Sequence, residues 1–219
     1  MSDAFTEAID VNRPYEGVTP VDDLKQSIAV RREESMFYNI RAEPNQWIRL
    51  ACEEAKASVE RGGGPFGAVL VQVDDDTNEV IRYWRDGNHV TDHNDPTAHA
   101  EISVIRAACH QLGLHTLDAI PSNISKLPQI GETSHCELYS SCEPCPMCYS
   151  AVMWARIPML VFSATRFDAA LPGVDFIDAE IYDELSKRYE ERLTRVYISS
   201  CDINLEAFHL WKQSENRKY

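Results

Sequence analysis

No apolar run in this 219-residue sequence approaches the length of about 18 residues that crosses a bilayer. The opening MSDAFTEAID also lacks the basic segment and apolar stretch of a secretory leader. A soluble, cytoplasmic protein with no membrane partner is therefore expected, and Asn123-Ile124-Ser125 is discounted as a glycosylation acceptor. Basic charge is scarce: 21 Lys and Arg face 35 Asp and Glu, for a formal net charge of -14. Binding a nucleic-acid backbone rests on Lys and Arg displacing condensed counterions, so this balance favours a small-molecule substrate. No Lys/Arg-rich stretch interleaved with aromatics offers a local basic groove. Internal repeats and low-complexity tracts are lacking too, and the Gly62 to Gly67 run is no phosphate loop, since no Gly-Lys-Ser/Thr follows it. A complete disulfide framework is disfavoured by number and spacing, because the seven cysteines are odd in count and three crowd into Cys142, Cys145 and Cys148. In a reducing compartment such crowding points to metal or redox chemistry.

What is present reads as a three-layer α/β/α domain around a mixed sheet of about five strands. Residues 1–45, with Pro14, Pro20 and Pro44 amid charge, read as an N-terminal arm with one helical stretch from Leu24 to Ile40. Residues 46–219 form the catalytic domain. A helix is expected from Gln46 to about Glu60, stopped by Gly62-Gly63-Gly64-Pro65. Strands at Ala68 to Val73 and Val80 to Trp84 form a hairpin around the acidic turn Asp74 to Asn78. A second helix covers Ala98 to about Gln111, and Gly113 to Cys136 reads as a long loop. Leu138 to Ser140 is a short buried strand, Pro146 starts a helix through about Ala155, and Met159 to Ser163 is a strand parallel to its neighbour. Beyond these come a helix near Ala179 to Glu191, a strand near Arg195 to Ser199 and a helix from about Leu205.

The chemistry is concentrated in Pro96-Thr97-Ala98-His99-Ala100-Glu101 and Ser141-Cys142-Glu143-Pro144-Cys145-Pro146-Met147-Cys148. Zinc prefers imidazole nitrogen and thiolate sulfur, and three protein ligands leave a fourth position for water. Cysteines three apart at a first helical turn share a face and gain from the positive end of the helix dipole, which favours thiolates. His99, Cys145 and Cys148 are the expected ligands of one Zn2+ per subunit. Glu101 diverges from His99 and is free to move protons to and from a metal-activated water. A closed structural site with Cys142 as a fourth ligand is the competing reading.

His99-Ala100-Glu101 with Pro144-Cys145-Pro146-Met147-Cys148 matches the known H-x-E and P-C-x-x-C signature of zinc deaminases. From about Gln46 to Tyr219 the chain resembles guanine deaminases of the cytidine-deaminase-like superfamily. Further matches are Gly64-Pro65-Phe66-Gly67-Ala68, Asn94-Asp95-Pro96, Trp154-Ala155-Arg156 and Asp168-Ala169-Ala170. The resemblance implies hydrolysis of guanine to xanthine and ammonia, with Asn88, Asp168 and Tyr219 holding the purine. Ala100 would contribute its N–H, and Phe66 and Trp154 would wall the pocket. It also implies a homodimer in which the C-terminal segment is swapped between subunits. The arm before Gln46 and the segment from Gly113 to Cys136 depart from the compact enzymes of this kind. Other readings stay open for these residues. Asn88 suits an Asx turn, Asp168 a helix cap, Tyr219 a frayed end, and Phe66 and Trp154 a core. The same metal chemistry serves guanosine or cytosine deaminases, and a tRNA-editing adenosine deaminase shares the signature.

Overall fold

Gly67–Asp74, β1, is buried at all eight positions, which marks a central strand covered on both faces. Its apolar side chains alternate. Ala68 and Leu70 join Val104, Ile105, Ala108 and Leu112 in one cluster, whereas Val69, Val71 and Val73 join Ile48, Ala51 and Tyr139 in another. Helix α1, Gln46–Glu60, covers the second face, and helix α2, Ala100–Leu112, the first. The result is the expected three-layer α/β/α arrangement.

The computed structural model describes residues 36–37 and 39–216, and the chain divides into units Met1–Phe176 and Ile177–Tyr219. Most of the arm expected over 1–45, including most of its Leu24 to Ile40 stretch, lies outside the described residues. In the first unit, β1 pairs antiparallel with β2, Val80–Gly87, and with β4, Thr133–Cys142. The far edge of β4 is shared by β3, Ile120–Pro121, antiparallel, and by β5, Met159–Ala164, parallel. Helix α3, Pro146–Trp154, links β4 to β5, and α4, Arg166–Ala169, follows.

Capping explains where the first helix begins. Asn45 Oδ1 accepts from the Trp47 and Ile48 amides at 3.0 and 3.1 Å, satisfying two donors of the first turn. Its packing depends on Gly67, where a Cβ would stand 2.3 Å from Ala55 N and 2.4 Å from Ala51 O. Only glycine lets helix backbone and strand backbone approach so closely.

Four expectations are corrected. The strand near the cysteines is not confined to Leu138 to Ser140 but starts at Thr133, and the stretch expected as loop contains β3. The early half of β4 is polar, and its buried Ser134 is paid in hydrogen bonds rather than apolar contact: Gln72 Nε2 donates to Ser134 Oγ at 2.8 Å, and Ser134 Oγ donates to Gln129 Oε1 at 3.1 Å. Helix α2 begins at Ala100 rather than Ala98, because Asp95 Oδ1 accepts from Thr97 N and Oγ1 at 2.8 and 2.7 Å and holds the preceding residues in a turn. In the second unit, α5 spans Ala179–Ser186, a 3-10 turn Tyr189–Glu191, and α6 Glu206–Gln213. The strand expected near Arg195 to Ser199 is not formed; those residues are exposed and carry no ladder.

Candidate active site

Two helix starts supply the central groups. His99 is the N-cap of α2 and Cys145 the N-cap of α3, yet neither side chain caps its own helix. Both turn toward each other instead. Pro146 follows Cys145 at the first helical position, where a missing N–H costs no hydrogen bond. Cys148 then comes round on the same face. Ile102 packs against Cys145 and Cys148 and joins the two helices.

His99 Nδ1 lies 3.7 Å from Cys145 Sγ and 3.5 Å from Cys148 Sγ, and the three ligand atoms all fall within 4.8 Å of one another. A tetrahedral zinc with ordinary Zn–N and Zn–S bonds separates such donors by about 3.5 to 3.8 Å. One nitrogen and two sulfurs at these spacings could therefore hold zinc. Cys142 stands outside the trio, its thiol donating to the Thr165 carbonyl at 3.5 Å. The closed four-ligand site is not assembled.

Cys145 is held down to about 4 by its hydrogen bond from Cys148, aided by His99. That same bond, together with burial, pushes the Cys148 thiol up. Glu101 is buried beside the trio, and desolvation raises its carboxyl above the usual range. Ser140 Oγ donates to Glu101 Oε1 at 3.3 Å. A buried carboxyl thus sits against the three groups that could hold a metal.

The remaining expected residues are placed as follows. Asn88 is buried at the end of β2; its Oδ1 accepts from Val90 N at 3.1 Å in an Asx turn. The next residue, His89, donates its amide to Ala98 O at 2.9 Å, which brings Asn88 next to the strand of chain leading into His99. Phe66 is half-buried, with its amide bonded to Gly64 O and its ring edge-on to Phe176 at 4.8 Å. Ala100 is buried in the first turn of α2. Asp168 Oδ2 accepts from Thr165 N and Oγ1 at 2.7 and 2.8 Å, closing a capping box on α4. Trp154 is 71% exposed, and Tyr219 lies outside the described residues.

Sequence reasoning missed Ser140 and the Glu143–Arg166 link. Arg166 N and Nη1 donate to the Glu143 carboxylate at 3.0 and 3.1 Å, tying the cysteine loop to the helix that carries Asp168. Alternation along β4 was the signal for Ser140, since Cys136 and Leu138 face α2 and the residue two further on must follow. No local signal marks the Glu143–Arg166 pair.

Residues 41–164 match the family described as the cytidine and deoxycytidylate deaminase zinc-binding region. Over 171 residues the chain is 40% identical to guanine deaminase of Bacillus subtilis, covering 78% of this chain and 92% of that protein. The X-ray structure of guanine deaminase from Bacillus subtilis superposes with a TM-score of 0.64 at 38% identity, covering 80% of this chain and 99% of that one. A tRNA-specific adenosine deaminase of Agrobacterium fabrum is 39% identical over 123 residues, covering 56% of this chain and 66% of that protein.

Proposed function

The chain belongs to the zinc-binding cytidine and deoxycytidylate deaminase family, and on that premise we propose that it hydrolyses guanine to xanthine and ammonia in the cytoplasm. The observation that carries this reading is the buried Glu101 set against His99, Cys145 and Cys148, in a chain 40% identical to a guanine deaminase. His99, Cys145 and Cys148 hold zinc, which when bound supplies an activated water at neutral pH.

Glu101 takes one proton from the attacking water and delivers it to the ring nitrogen, then takes the second proton from the added hydroxyl and passes it to the amine, which leaves as ammonia as the C–N bond breaks and the carbonyl forms. Its burial suits this shuttle, because a raised carboxyl pKa lies closer to neutral pH and serves in both directions. Ser140 keeps Oε1 oriented by donating to it. At the other end of the base, the Asn88 amide both donates and accepts, and the Asp168 carboxylate accepts N–H groups from the purine edge. The Ala100 N–H, in the first turn of α2, adds a donor, and Phe66 lies against the ring. A base lacking the matching groups leaves the Asn88 NH2 and the second Asp168 oxygen without their proposed partners, which is the source of selectivity.

Trp154 and Tyr219 complete the pocket in a homodimer whose C-terminal segment crosses between subunits. Support comes from the second unit, where Ile198, Tyr197, Phe208 and Leu210 are exposed and no described residue is buried. Apolar surface of this kind on a unit without a core of its own calls for a covering partner.

Ammonia release from guanine, guanosine, cytosine, adenine and an anticodon-arm RNA tests the proposal. Guanine is expected to be the preferred substrate. Activity confined to another base, or to the RNA, overturns it.

A further inference from the structure

A second set of ligating side chains lies between β2 and α2, on residues the reaction does not use. His93 N donates to His89 O at 3.0 Å, closing one helical turn that brings His89, Asp92 and His93 to a common side. Their ligand atoms lie within 4.8 Å of one another, and the two imidazoles stack with centroids 4.5 Å apart and planes 9° from parallel. His89 Nδ1 is 2.8 Å from Asp92 Oδ2, while its Nε2 is 2.7 Å from Asp86 Oδ1. We propose that His89, Asp92 and His93 form a divalent transition-metal site separate from His99, Cys145 and Cys148.

Two imidazoles and a carboxylate are donors that zinc and its neighbours accept, with the remaining positions open to water. Asp86 supplies the outer group such sites use, a carboxylate holding the far nitrogen of a ligating histidine so that the near one faces the metal. The cation takes the place of the proton that joins Nδ1 to Asp92, and that proton leaves to solvent. Asp92 and His93 are exposed, so Asp92 can open from its 2.8 Å contact with His89 to admit the ion, and His93, 3.9 Å from Asp92, can turn out of the ring stack to meet it without disturbing the core.

Zinc is the probe. After equilibrium dialysis of the zinc-loaded enzyme against excess zinc, metal analysis is expected to find one further zinc per chain. H93A and D92N should lose it while keeping the first zinc and guanine turnover, and D86N should weaken it about 10- to 100-fold. Failure of the unaltered protein to take up a further zinc, or its retention in H93A, overturns the site. NMR of the unaltered zinc-loaded enzyme gives a second reading: zinc should shift the ring resonances of His89 and His93 together, and shifts confined to other histidines also overturn the proposal. Neither readout depends on the catalytic assignment.

Discussion

Glu101 carries the proton traffic in the proposed reaction, and its surroundings favour that work over simple stability. Replacing it by glutamine preserves shape and the contact with Ser140 but removes the titratable group. E101Q is expected to lower ammonia release by about 10² to 10⁴-fold with zinc content unchanged, which metal analysis on the same sample checks. At this scale the sequence was most informative where the geometry is local. Cys145 and Cys148 share a helical face because of their spacing, and His99 and Glu101 diverge because of theirs. Asn88 and Asp168 were less decided, since an amide or carboxylate that can hold a base can equally close an Asx turn or a capping box, and here each also does so. Tertiary partners such as Arg166 for Glu143 leave no trace in the nearby sequence.

Among the elements, contact between α1 and β1 depends on a missing side chain. G67A would drive a methyl into the helix backbone at Ala51 and Ala55, and a loss of about 3 kcal/mol is expected from urea unfolding. On β4, His135 is raised to about 9 by its hydrogen bond to Glu137 and by Asp75. Its folded pKa lies above the ordinary 6.5, so its contribution is complete below that pH and fades as pH rises through about 9. Melting temperatures across this window should fall with pH in the parent, and less so in H135Q. Strands β1, β2 and β5 were legible because β-branched and aromatic residues bounded by turn formers mark them in the sequence. The polar start of β4 and the two-residue β3 were not, because Ser134 is stabilised by side-chain hydrogen bonds that pattern reading does not score.

For the whole molecule, every proposed zinc ligand and Glu101 belong to the unit Met1–Phe176, whereas the second unit contributes exposed apolar side chains. Light scattering on the eluted protein is expected to give twice the chain mass, and a monomer that retains full guanine turnover would remove the need for a second chain. Order in the first unit is expected to depend on metal. Helix starts are normally secured by Ser, Thr, Asp or Asn, worth about 1 kcal/mol each, but α2 and α3 give these positions to His99 and Cys145, whose side chains secure nothing in their own helices. Stripping zinc should therefore loosen both beginnings together, seen as faster amide exchange over 100–103 and 147–149. H99D and C145S, by restoring an ordinary cap, should melt higher than the parent in chelator while losing catalysis. Durability of the bare polypeptide and competence of the loaded enzyme thus compete for the same two residues.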